Sequence, residues 1–155
     1  MRNRLYREQQ LNCDVEEAWR FFSSPKNLSK ITPKGIGFTV LSEYVAEEIA
    51  EGTIIDYIVS PLLTIPLKWR TRITHVEHNK CFIDLQEKGP YKYWRHLHEF
   101  FPNKDGVLMK DTVDYELPFG LVGQIAHLLL VKRKLTDIFD FRRDTIEKLF
   151  NPINN

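Results

Sequence analysis

Trp94-Arg95-His96-Leu97-His98-Glu99-Phe100 is the stretch that decides how this chain folds. Its character alternates with period two. As a strand it puts Trp94, His96, His98 and Phe100 on one face and Arg95, Leu97 and Glu99 on the other. The second face suits water. The first mixes aromatic rings with two imidazoles, which points to the lining of a pocket more than to a plain core.

The same alternation recurs on both sides of this stretch. From about Pro66 to Val76, the set Trp69, Thr71, Ile73 opposes Arg70 and Arg72. Phe82, Asp84 and Gln86 alternate with Ile83, Leu85 and Glu87. Met109, Asp111, Val113 and Tyr115 alternate with Lys110, Thr112, Asp114 and Glu116. Turns fall at Glu77 to Lys80, at Gly89-Pro90 and at Asn103 to Gly106. Shorter extended stretches cover residues 2–12, Phe38 to Leu41 and Gly52 to Tyr57. With Phe100 to Val107 closing the hairpin, symmetric pairing places His96 near Asp111 within the error of the turn, and the two are expected within hydrogen-bond reach, directly or through one water. A slip by one residue would bury Arg95 and Lys110 instead.

Helical spacing holds in two places. Asp14 caps a helix with Glu17 at its third position and Val15, Ala18, Trp19 and Phe22 on one face. Ser24-Pro25 ends it, and Pro25 starts a second short helix with Leu28 and Ile31 apolar, stopped by Thr32-Pro33. After Pro118 and Gly120, the residues Leu121, Ile125, Leu128, Leu135, Ile138, Phe139, Ile146 and Leu149 recur at helical spacing. A helix over residues roughly 121–150 is expected. Arg142, set between Phe139 and Ile146, is expected to reach the sheet or an acidic neighbour. The fold class is therefore α+β: a curved seven-stranded antiparallel sheet around a long C-terminal helix, with two short helices after the first strand. Such a sheet leaves room for a cavity against the helix.

The inward faces also carry Asp84, Gln86, His96, His98 and Asp111. An unpaired buried polar group costs about 1–3 kcal/mol, and a charged one more. These groups must bond each other, water or a ligand. Three readings stay open: a satisfied network that fixes strand register, recognition of a ligand's polar end, or proton transfer by His96 with Asp111. His96 and His98 at i and i+2 could also hold zinc with Asp84 or Asp111. The sequence contains no HExxH, no CxxC and no second histidine cluster, and His75, His78 and His127 look peripheral, so no metal and no cofactor is expected. No glycine-rich phosphate loop or GxSxG elbow is present.

Composition narrows the classes. A chain of 155 residues suits one domain. A net charge of +1 gives no footprint for nucleic acid or an anionic membrane surface, and Lys132-Arg133-Lys134 reads as a solvated helix face. Cys13 and Cys81 form neither a disulfide framework nor a zinc site. The start Met1-Arg2-Asn3-Arg4 is charged with no apolar segment after it, and the longest apolar run, Leu128 to Val131, is far short of a span. A cytoplasmic protein without stable membrane insertion is expected.

Several stretches resemble a known family. They are Ala18 to Leu28 (AWRFFSSPKNL) with Ile31-Thr32-Pro33, Pro66 to Ile73 (PLKWRTRI), Gly89-Pro90-Tyr91 with Trp94, His96 and Phe100, Met109 to Tyr115 (MKDTVDY) with Pro118 and Gly120, and Leu135 to Phe139 (LTDIF) with Arg142. Together they are similar to a bacterial branch of the START-like (SRPBCC) superfamily, described as ligand-binding or polyketide cyclase/dehydrase-like. The resemblance covers residues 1–155 as one domain and implies the helix-grip fold, with a cavity between sheet and C-terminal helix. It also implies a small hydrophobic or amphipathic ligand (a lipid, quinone or polyketide-like molecule). In that reading Trp69, Trp94, Phe100 and Tyr115 supply contact area, with Thr71, Asp84, His98 and Met109 beside them. His96, Gln86 and Asp111 orient the ligand's polar end. An enzyme of the cyclase, dehydratase or isomerase kind, using His96 and Asp111 as acid/base, is the alternative. A regulatory or chaperone-like role toward another protein is the third.

Overall fold

The computed structural model describes residues 2–42, 47–60, 65–118, 120, 122, 125 and 130–152. Strand β1 (Asn3–Leu11) leads into helices α1 (Val15–Phe22) and α2 (Pro25–Leu28) and a 3-10 turn at Lys34–Ile36. Six strands follow: β2 (Thr39–Val40), β3 (Ile54–Val59), β4 (Leu67–Glu77), β5 (Cys81–Lys88), β6 (Tyr93–Asn103) and β7 (Gly106–Glu116). Helix α3 (Lys132–Phe150) closes the chain's described part.

The local chemistry matches the elements. Asp14 Oδ1 accepts the Glu17 N–H at 2.8 Å, filling one of the orphan donors of the α1 start. Pro25 occupies the first turn of α2, where its missing N–H costs nothing.

All neighbouring strands are antiparallel, in the order β1-β7-β6-β5-β4-β3-β2. The β6–β7 turn is tighter than the sequence implies, because Asn103 already pairs with Gly106. The ladder moves by two residues, so His98 faces Asp111 and His96 faces Val113. A shift of two keeps every side chain on its face. Pairing between β4 and β5 breaks register at Arg70/Thr71 and at Ile73/His75. Bulges of this kind add twist and bend the sheet.

The outer face is charged as expected. Arg70 clasps Asp56 on the neighbouring strand with two hydrogen bonds, 2.7 and 2.8 Å, and Arg4 clasps Asp114 in the same way. Such exposed pairs fix geometry more than they stabilise.

Inside, apolar packing forms two clusters. One gathers around Trp19, whose indole meets Phe82 and Phe100 edge-on at 5.8 Å each. The other joins Trp69, Trp94 and Tyr115 of the sheet to Leu135 and Phe139 of α3. Helix α3 buries Leu135, Phe139, Arg142, Ile146 and Phe150, a row at steps of three and four that sits on one face. Two expected stripe members lie elsewhere. Leu149 is 49% exposed, because Phe150 and not Leu149 continues the row, and Ile125 is 59% exposed. Leu121 and Leu128, and so most of the helix expected before Lys132, lie outside the described residues. Among the described residues, no helix is long and apolar enough to cross a membrane.

Candidate functional site

Between sheet and α3 lies a cavity of about 170 Å³. Both apolar clusters contribute to its wall, with Phe22, Ile31 and Ile73 on one side and Trp69, Trp94 and Phe139 on the other. One part of the lining is polar: Thr71, Asp84, His96, His98 and Arg142.

Strands β5, β6 and β7 place the titratable groups. Period two turns Asp84 of β5, His96 and His98 of β6 and Asp111 of β7 to the inner face, and adjacent ladders bring them together. The two imidazoles lie with ring centres 3.7 Å apart, and His98 stacks on Phe82 at 4.2 Å. His96 Nε2 is 2.9 Å from Asp111 Oδ1, and its Nδ1 is 3.5 Å from Asp84 Oδ2. His98 Nε2 is 3.2 Å from that same Asp84 oxygen. Its Nδ1 is 2.9 Å from Asp111 Oδ1 but at an angle that makes no hydrogen bond. Two rings are thus clasped between two carboxylates.

The electrostatics follow from burial and from this clasp. Burial disfavours charge on His96, and the nearby His98 adds to the effect, so its pKa falls below the ordinary histidine value. Burial acts on His98 as well, but close contact with Asp111, the hydrogen bond to Asp84 and attraction to both outweigh it and raise its pKa. Burial opposes ionisation of both carboxyls too. The histidines outweigh it, holding Asp84 below the usual range and Asp111 far below it. Helix α3 adds Arg142, whose guanidinium lies 4.8 Å over the Phe139 ring. Burial lowers its pKa while Asp111 and Asp84 pull the other way. Its Nε is buried with no hydrogen-bond partner among the described residues. The expectation that Arg142 turns toward acidic neighbours therefore holds, although it reaches them through space and not by a direct bond.

Of the residues expected at the site, Trp69, Thr71, Asp84, Trp94, His96, His98 and Met109 line the cavity. Gln86, Phe100, Asp111 and Tyr115 do not. Gln86 is taken up by the Gly89-Pro90 turn: its Nε2 donates to the Tyr91 carbonyl at 2.7 Å and its Oε1 accepts the Tyr91 N–H at 3.3 Å. Both ends of its amide are thus engaged by the turn. Phe100 packs with Trp19 and Phe22. Asp111 sits behind the histidines, and Tyr115 packs against Tyr91 and Trp94. The Thr71 hydroxyl is also engaged, accepting from Trp69 Nε1 at 3.0 Å and bonding the Tyr57 hydroxyl at 2.9 Å.

Sequence reasoning missed Tyr57, Phe38 and Leu135 as lining residues. Only Leu135 carried a usable signal, its place on the helical stripe. Burial pushes the Cys13 thiol up to about 11, with Glu17 and Asp14 adding to it, so it offers no thiolate near neutral pH. His75 and His78 lie on the surface beside Glu51 and Glu48, and His127 lies outside the described residues.

No protein-family model matches this chain, and no curated protein sequence does. Solved structures of the same fold do. A Mycobacterium smegmatis protein superposes with a TM-score of 0.69 at 14% identity, covering 98% of this chain and 93% of its own. Major latex-like protein 151 of Panax ginseng gives 0.69 at 14% identity, covering 97% and 99%. A norcoclaurine synthase point mutant from Thalictrum, in complex with a transition-state analogue, gives 0.64 at 17% identity, covering 96% of each chain. At these identities the likeness establishes the helix-grip fold and not an activity.

Proposed function

We propose that this protein binds a compact apolar or amphipathic molecule in the cavity between the sheet and α3. The observation that carries the reading is the cavity itself: about 170 Å³ of aromatic and aliphatic wall with a cluster of polar groups at one place. An apolar cavity of about 150 Å³ accepts a benzene ring, so the space suits roughly one ring, or one end of a longer molecule. The Thalictrum enzyme, of the same fold, is described with a small-molecule analogue bound, which supports using this scaffold for such a ligand.

Magnitudes indicate what the polar groups add. A ring that buries about 150 Å² of apolar surface gains about 4 kcal/mol, which by itself corresponds to about millimolar affinity. Tighter binding must come from the polar end, where His96, His98 and Arg142 face the ligand. The acid/base alternative has one specific observation behind it, the His96–Asp111 hydrogen bond. Burial lowers the pKa of His96, however, and the hydrogen bond to Asp111 occupies its Nε2, which makes it a weak acceptor of a proton from a bound molecule. Binding is therefore the first reading.

Native mass spectrometry of the protein released gently from cells tests it. The expected result is a bound organic species lost on denaturation, and quenching of Trp69 and Trp94 fluorescence when a single-ring probe such as 4-nitrophenol is titrated in. Leu135→Trp, which fills the cavity from α3, is expected to abolish both. Equal probe binding by wild type and Leu135→Trp would overturn the reading.

A further inference from the structure

Protons satisfy the paired histidines only in part. His96 Nε2 lies 2.9 Å from Asp111 Oδ1 and so carries the hydrogen. In a neutral ring, Nδ1 is then a bare lone pair, and it faces Asp84 Oδ2 at 3.5 Å. In His98 the faces are exchanged. Its Nε2 approaches Asp84 Oδ2 at 3.2 Å. If Nε2 holds the hydrogen, the lone pair of Nδ1 is set against Asp111 Oδ1 at 2.9 Å. An unprotonated ring nitrogen this close to a carboxylate oxygen is repelled by it. Protonating both rings removes that repulsion but puts two cations with ring centres 3.7 Å apart beside Arg142.

A divalent cation relieves both contacts without a second proton. Asp84 Oδ2, His96 Nδ1 and His98 Nε2 all lie within 4.8 Å of one another. The oxygen is 3.5 Å from the first nitrogen and 3.2 Å from the second. Ligand atoms held about 2.0–2.1 Å from a tetrahedral ion are about 3.3–3.4 Å apart. With the lone pairs of His96 Nδ1 and His98 Nε2 on an ion, the opposite nitrogens, His96 Nε2 and His98 Nδ1, both carry hydrogens. Both of these lie 2.9 Å from Asp111 Oδ1. Asp111 would then orient the ligating His96 through its hydrogen bond, the usual support of such ligands, and set its charge beside His98.

We propose that Asp84, His96 and His98 form a binding site for a divalent transition metal, zinc foremost, with its remaining position open to the cavity. All three line the cavity wall. Two carboxylates, Arg142 and the ion leave a net charge of +1, so the open position favours an anionic oxygen donor: hydroxide, or the carboxylate or phenolate end of a cavity ligand. The site has no linear motif because one donor comes from β5 and two from β6. The absence of HExxH and CxxC, which set the expectation of no metal, therefore does not bear on it.

The test uses the full chain, stripped with a chelator and titrated with Co²⁺ and then Zn²⁺. It is independent of whether any apolar molecule binds. The expected result is one equivalent of Co²⁺ at micromolar affinity or tighter, with visible d–d bands and no thiolate charge-transfer band, displaced by Zn²⁺. Asp84→Asn and His98→Gln are expected to weaken binding at least about 100-fold. The exposed group His75, Glu77 and Cys81 is the other arrangement of donors among the described residues, and Cys81→Ser is expected to change nothing. If the Asp84 and His98 variants fail to fold, the wild-type spectrum still decides, since nitrogen and oxygen ligation lacks the thiolate band. Wild type that takes up neither ion at one equivalent, or that loses its site in Cys81→Ser, would overturn the proposal.

Discussion

Asp111 hydrogen-bonds His96 on a diagonal and not across the ladder: Oδ1 and Nε2 are 2.9 Å apart, although the residue opposite His96 is Val113. The same oxygen lies 2.9 Å from Nδ1 of His98, the residue directly opposite, at an angle that makes no hydrogen bond.

Removing that carboxylate should be costly. Asp111→Leu leaves two buried imidazoles without their shared partner, and breaking a buried charged group of this kind costs about 3–5 kcal/mol. Asp111→Asn keeps one acceptor and should lose about 1–3 kcal/mol. Urea unfolding of chelator-treated protein measures both, and equal losses would refute the role of Asp111 as acceptor for His96.

The metal-free protein should be most stable near pH 6.5. Unfolded histidines have pKa values of about 6.5, so the two unfolded rings together hold about one proton there. The folded pair holds one proton over a wider range, because burial depresses His96 while Asp111 and Asp84 outweigh burial and raise His98. Above about pH 6.5 the unfolded chain holds fewer protons than the folded one, and stability falls as pH rises through the raised value of His98. Below it the unfolded chain holds more, and stability falls as pH drops toward the depressed value of His96. The depressed carboxyls of Asp84 and Asp111 add stability that is present above about pH 4 and lost as pH falls through their folded values. Urea midpoints that rise without a maximum between about pH 5 and pH 8 would contradict this linkage.

Thr71→Val tests the hydroxyl hub. It preserves shape but strips the acceptor of Trp69 Nε1 and the partner of the Tyr57 hydroxyl. A loss of about 2 kcal/mol is expected from the orphaned buried donors. A neutral effect in thermal and urea unfolding would mean that water replaces the hydroxyl.

Gly106 closes the β6–β7 turn with φ of 117°, a conformation that side chains resist. A Cβ there would stand 2.1 Å from the Leu11 carbonyl oxygen, which is backbone and cannot swing aside. Gly106→Ala is expected to cost about 3 kcal/mol. An alanine variant with an unchanged urea midpoint would show that β1 can shift away.

The sequence by itself determined the element order and the faces. Period-two runs such as Trp94 to Phe100 and the row Leu135, Phe139, Ile146 are local patterns, and each must bury its apolar side whatever the neighbouring strand does. They also showed that His96, His98, Asp84 and Asp111 turn inward together. Which nitrogen meets which oxygen was decided only by tertiary structure. It depends on a tight Lys104–Asp105 turn that moved the β6–β7 register by two residues. It depends too on the bulges that break the β4–β5 pairing, and on α3 carrying Arg142 down to the carboxylates. Alternation is blind to a shift of two because it returns every side chain to the same face. The pattern could therefore fix what is inside, while only the assembled ladders and helix could fix what touches what.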